Sequence, residues 1–111
     1  MKIKELITKR KAAFLILCHK YQVKTLYAFG SSVSNHFDEV SSDIDLLVEI
    51  DEEDPVKRGD LLMEFWDHLE DFFDRRVDLL TNSSIKNPVL RNSIDKTKIL
   101  VYDRTGEKVF S

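Results

Sequence analysis

The stretch that most restricts this chain is residues 43–50, DIDLLVEI. Read as a β-strand, its side chains alternate between two faces, so Ile44, Leu46, Val48 and Ile50 make an unbroken apolar row that another layer must cover. The opposite row is Asp43, Asp45, Leu47 and Glu49. Its two aspartates point the same way, with Cα atoms about 6.5 Å apart at a rise of ~3.3 Å per residue. Carboxylates that close repel each other and resist leaving water, so water or a positive charge must stand in front of them. A solvent-facing strand, or an edge guarded by charge, gives this pattern. So does a clamp for a hard divalent cation, which takes one or two carboxylates and fills its shell with water and phosphate oxygens.

The rest of the chain supplies layers to cover that strand. Ile3, Leu6, Ile7, Phe14, Leu17, Cys18 and Tyr21 recur at helical spacing and predict a first helix over residues 3–20. TLYAF (25–29) reads as a strand ending at Gly30, and the Ser-, Asn- and Asp-rich residues 30–42 as a loop. After the acidic turn DEEDP (51–55), with Asp54 or Asp60 as cap, Leu61, Leu62, Phe65, Trp66, Leu69, Phe72 and Phe73 predict an amphipathic helix. That helix is expected to end at Arg75–Arg76, where cations suit its negative end. VDLLT (77–81) is a third strand, Asn87-Pro88 opens a shorter helix to Thr97, and KILVYD (98–103) is a fourth strand. Thr105-Gly106 marks a turn into a last short strand. Alternating helices and strands predict an α/β layer, two or three helices covering a small mixed sheet, in one domain over residues 1–111.

Composition narrows the function classes. A net charge of −3 leaves no overall electrostatic footprint for duplex nucleic acid, so direct DNA binding is not expected. No apolar run approaches the ~20 residues of a membrane span. The basic N-terminus, MKIKELITKRK, has helical apolar spacing and no small-residue cleavage site after it, so it reads as a helix rather than a signal peptide. The lone Cys18 has no partner for an internal disulfide, which fits a reducing, cytoplasmic setting. His19 and His68 fall on helices facing solvent; His36 lies in the loop without metal-ligand spacing.

Two further features bear on the aspartates. Asp78, inside V-D-L, sits on another short apolar strand; if the strands pair as neighbours, its carboxylate reaches the same face. Three aspartates on adjacent strands can hold two ions ~3.5–4 Å apart, the arrangement of in-line phosphoryl displacement. Upstream, Phe29-Gly30-Ser31-Ser32 ends a strand with a glycine, which lets backbone N–H groups approach a phosphate, and serines whose hydroxyls can bond its oxygens. Separately, Gly30 is an ordinary turn glycine and Ser31 an ordinary cap.

Together, F-G-S (29–31), D-I-D-L (43–46) and V-D-L (77–79) resemble the nucleotidyltransferase superfamily related to DNA polymerase β. The S-D-I-D-L-L-V wording and the ending L-R-N-S-I-D-K-T-K-I-L-V-Y-D look like its minimal members from bacteria and archaea, and the resemblance runs over residues 20–103. It implies a nucleotidyltransferase fold in a single minimal domain. Asp43 and Asp45 would ligate the Mg²⁺ ions, two of them, that bridge the nucleotide's phosphates. Asp78 would ligate the ion that activates the attacking hydroxyl, or help take its proton. Gly30 and Ser31 would cradle the triphosphate. The implied reaction moves AMP from ATP to a hydroxyl and releases pyrophosphate.

In the same family a minimal domain without a second, acceptor-binding domain resembles the antitoxin of two-component modules. Its partner there is a HEPN-domain ribonuclease toxin, silenced by AMP on a tyrosine. That is the leading expectation. The alternatives are a binding module that occludes its partner without chemistry, and a small-molecule nucleotidyltransferase working with a partner subunit. One departure favours the first alternative. Many relatives carry a cation soon after Gly-Ser, whereas Ser31-Ser32-Val33-Ser34-Asn35-His36 holds no lysine or arginine. Arg75, Arg76, Arg91 and Lys96 are candidates to replace it.

Overall fold

A computed structural model of the chain describes residues 2–33, 43–105 and 108–109. In chain order the elements are α1 (Lys2–Lys9), α2 (Lys11–Lys20), β1 (Val23–Phe29), a 3-10 turn (Gly30–Val33), β2 (Ile44–Ile50), α3 (Pro55–Phe73), β3 (Val77–Leu80), a second 3-10 turn (Asn82–Ser84), α4 (Pro88–Thr97), β4 (Ile99–Asp103) and β5 (Lys108–Val109). The strands form one mixed sheet in the order β3-β2-β1-β4-β5. β1 lies antiparallel to both β2 and β4, while β2 and β3 run parallel. The expected α/β architecture is present, and none of the described helices is long and apolar enough to cross a membrane.

The alternation read from DIDLLVEI governs the core. Ile44, Leu46, Val48 and Ile50 are all buried, together with Val77, Leu79, Leu26, Ala28 and Val101 from the neighbouring strands. They meet Ile3 and Ile7 of α1, Phe14 and Cys18 of α2, and Phe65, Leu69 and Phe73 of α3 in one cluster. Each such side chain contributes about 1.5–3 kcal/mol by leaving water, so this face carries most of the stability. Burial also pushes the Cys18 thiol up, which keeps it protonated and unreactive. The other face has one small buried cluster, Phe29, Leu47 and Ile94, where α4 packs on the sheet.

Two helix boundaries depart from expectation. The predicted first helix is two helices, making four α-helices among the described residues where two or three were expected. The chain breaks at Arg10 (φ −132°, ψ 45°), whose N–H bonds to the Ile7 carbonyl in a tighter turn. No proline or glycine marks that break. Arg10 is held from outside: its Nη1 donates to the Phe72 carbonyl at 3.2 Å and its guanidinium lies 4.6 Å from the Phe72 ring centre. The bend lets Ile3 and Ile7 reach the same core as Phe14 and Cys18. α3 starts as expected, with Asp54 accepting from the Val56 N–H at 3.0 Å and Pro55 in the first turn. It ends at Phe73, before Arg75, because Asp74 takes a left-handed conformation (φ 52°) that closes the helix. Three residues then connect α3 to β3.

Candidate active site

The β2–α3–β3 crossover decides where Asp78 goes. A parallel pair needs a long connection that carries the chain back to the starting end of the sheet, and α3 provides it. β3 therefore begins beside the beginning of β2, and Asp45 and Asp78 are direct partners across the two strands. Directly paired residues share a face, so the two carboxylates sit together, close enough for a hydrogen bond when one of them is protonated. Burial, then the charges of Asp78 and Asp43, then that hydrogen bond push the Asp45 carboxyl up to about 6 from an ordinary 3.8.

Asp43 precedes β2 and remains partly exposed. Its Oδ2 lies 4.0 Å from Arg76 Nε. Extending the Ile44–Val77 pairing by one residue places Asp43 opposite Arg76, and the Ile44 N–H bond to the Arg76 carbonyl at 3.0 Å keeps the ladder in step there. The site is thus two rungs, Asp43 with Arg76 and Asp45 with Asp78. Among the described residues, no three His, Cys, Asp or Glu side chains have closed to the spacing of a metal cage. The donor set nevertheless fits a hard divalent cation: two paired carboxylates and a third on the same row, oxygen ligands only, gathered where burial and mutual repulsion disfavour the ionised acids until a cation joins them. Asp43, Asp45 and Asp78 are the residues that could hold it.

Gly30 closes the site from above. It follows Phe29, whose register partner is Asp45, and has φ +64°, in the left-handed region. A Cβ placed on it would lie 2.7 Å from Asp45 Oδ2. Only glycine allows both that backbone angle and that approach. The Gly30–Val33 turn then folds over β2, and the Asp45 N–H donates to Ser32 Oγ at 2.7 Å. Ser32 is wholly buried. Ser31 is the serine expected at the triphosphate, and the neighbouring Ser32 is the one that braces Asp45. Nothing in the Gly-Ser-Ser run tells which hydroxyl turns inward. Ser31 belongs to the turn by its backbone, but its side chain, like residues 34–42 with His36, lies outside the described residues.

A second support holds Asp78. β3 is the edge of the sheet, and the peptide groups of Val77 are satisfied by α3: Trp66 Nε1 donates to the Val77 carbonyl at 2.7 Å, and the Val77 N–H donates to Glu70 Oε2 at 2.9 Å. In the sequence Trp66 shows only as part of the amphipathic row of α3; the need of a partly buried indole N–H for an acceptor is the signal for its second task. The other candidate cations stand elsewhere. Arg91 is fastened to Asn82 by two bonds of 2.9 Å, and the Nε and Nη1 atoms of Arg75 are buried. Lys96 is exposed on α4.

With that geometry in place, comparison with known proteins is informative. A family model described as nucleotidyltransferase domain matches residues 10–101. A relative from Methanocaldococcus jannaschii, provisionally named a protein adenylyltransferase, is 39% identical over 99 residues, covering 89% of this chain and 94% of its own. Among solved structures, a protein described as a minimal nucleotidyltransferase superposes with a TM-score of 0.60 at 26% identity, over 86% of this chain and 93% of that one. The same fold, at 20% identity and a TM-score of 0.50, occurs in a complex of a tri-AMPylated Shewanella oneidensis HEPN toxin with its MNT antitoxin, over 89% of this chain and 74% of that one. Sequence match and fold agree: this chain belongs to the nucleotidyltransferase domain family, as one of its minimal members, and is a nucleotidyltransferase.

Proposed function

We propose that this protein transfers AMP from ATP to a hydroxyl of a partner protein, a tyrosine of a HEPN-type toxin, and acts as the antitoxin of that pair. The observation that carries the chemistry is the Asp45–Asp78 pair on adjacent parallel strands, under a glycine that leaves room above it. In this reading Asp43, Asp45 and Asp78 hold Mg²⁺, which when bound neutralises phosphate charge and lowers the pKa of the attacking hydroxyl. The backbone groups of Gly30 and Ser31 cradle the triphosphate in this reading. Ser32 keeps the Asp45 backbone in place, and Trp66 with Glu70 keeps β3, and so Asp78, in register. Asp78 also stands ready to accept the acceptor's proton. Little else is required, because phosphoryl transfer depends on positioning and charge neutralisation more than on covalent help. The partner assignment draws support from the relative named for protein adenylylation and from the antitoxin fold seen with an AMPylated toxin.

The test is incubation with labelled ATP, Mg²⁺ and a HEPN-domain protein encoded beside this one, followed by mass spectrometry of the partner. Adenylylated tyrosine is the expected product, and it should vanish with Asp43→Asn/Asp45→Asn. If that double variant neutralises the toxin as fully as the native protein, occlusion without chemistry is the correct account.

A further inference from the structure

The family's usual cation after Gly-Ser is missing here, yet a triphosphate needs positive charge beside it. We propose that Arg76 is that cation: it pairs with Asp43 in the nucleotide-free protein and exchanges onto the phosphates when a nucleoside triphosphate binds. This inference rests on the nucleotide-transfer reading above and assigns a specificity role within that site.

The argument starts from strand register. Arg76 lies two residues before Asp78 on the extended chain leading into β3, so the two side chains leave on the same face. Its carbonyl accepts the Ile44 N–H at 3.0 Å, which fixes the backbone of residue 76 to the rim of the acidic row. The guanidinium then stands 4.0 Å from Asp43, at the outer limit of an ion pair, and 76% of the Arg76 side chain is exposed. Exposed pairs with that geometry hold weakly, so Arg76 gives up little by leaving Asp43. A phosphate offers it more, since the planar guanidinium makes two parallel bonds to phosphate oxygens. Four other cations are committed elsewhere, and Lys96 lies on α4, away from the two rungs. Arg91 is tied to Asn82, Arg58 to the carbonyls of Glu52 and Glu53, Arg104 to Asp51, and Lys98 to Asp95 and the Tyr27 ring. The exchange also has a logic for the acids. Arg76 lowers the repulsion within the row while no counter-ion is present, and its departure frees Asp43 to act as a ligand.

Two binding titrations that need no turnover test this, on the native protein, Arg76→Ala and Arg76→Lys. The first measures a non-hydrolysable ATP analogue with Mg²⁺, alongside AMP. Arg76→Ala should lose roughly tenfold to a hundredfold in affinity for the triphosphate with AMP unaffected, and Arg76→Lys should recover part of the loss. The second titrates Mn²⁺ into nucleotide-free protein. Here removing the positive charge should tighten binding a few-fold, because the row becomes more negative. Opposite signs in the two titrations are the mark of the exchange; a merely structural Arg76 would weaken both. Equal triphosphate affinity of native protein and Arg76→Ala would overturn the assignment and leave the nucleotidyl-transfer reading standing. Failure of the native protein to bind the triphosphate at all would remove both.

Discussion

The two faces of β2 carry opposite designs on one short strand. On one, Ile44, Leu46, Val48 and Ile50 are packed under three helices. On the other, Asp43 and Asp45 are only partly covered, and α4 protects little more than Leu47 and Phe29. The first face lowers the free energy of the fold; the second raises it, by gathering like charges where water is already half removed. The contrast shows how so small a protein supports an acidic site. The strain is confined to side chains that alternate with core residues, so the same backbone that is anchored by packing holds the carboxylates in register.

Substitution on each face should separate these contributions. The largest effect is expected from Asp45→Asn: transfer activity should fall by about three orders of magnitude, the scale of losing a key electrostatic group. Stability in denaturant should stay level or rise, since a repelling charge is gone. Leu46→Ala is the mirror experiment. It leaves every carboxylate in place and should cost roughly 2–5 kcal/mol of unfolding free energy. Activity of whatever remains folded should be close to native. If Asp45→Asn instead unfolds the protein, the acidic face is structural and the contrast fails.

Gly30→Ala probes the boundary between the faces. The new methyl meets Asp45 Oδ2 at 2.7 Å in a left-handed backbone, which should cost about 1–2 kcal/mol of stability and a larger relative loss of activity, because the carboxylate must move. Thermal unfolding and transfer rate on the same preparation would show whether activity falls further than stability. The smallest effect is in pH. The folded Asp45 carboxyl titrates near 6 and the unfolded one near 3.8, so the folded protein holds an extra proton between those values. Its stability should therefore fall as pH rises through that window. The drop should be about 1–2 kcal/mol after allowance for the group's partial exposure to solvent. Urea titrations in chelator-containing buffer at pH 4 and 7 would measure it, and Asp45→Asn should flatten the difference.

Much of the molecule was legible before any coordinates. The period-2 row of β2 named both the buried face and the acidic one; the Asp54-Pro55 and Asn87-Pro88 starts of α3 and α4 followed from capping chemistry. What escaped were features set by distant contacts. The break at Arg10 depends on Phe72, sixty-two positions away. The early stop of α3 depends on Asp74 accepting a backbone angle that few non-glycine residues adopt. That Ser32 turns its hydroxyl to the Asp45 N–H follows from the fold of the turn over β2, which residue type alone does not fix.

By itself, then, the amino-acid order determined which residues alternate, which faces are apolar, where helices begin, and that three aspartates and a glycine recur in a family pattern. These are local properties, decided by side-chain chemistry and backbone periodicity within a few residues. The tertiary structure alone decided that α3 returns the chain in parallel, setting Asp78 opposite Asp45 and bringing Arg76 against Asp43. Those pairings join positions more than thirty residues apart, and they exist because burying one apolar row under the helices leaves the strands one way to align.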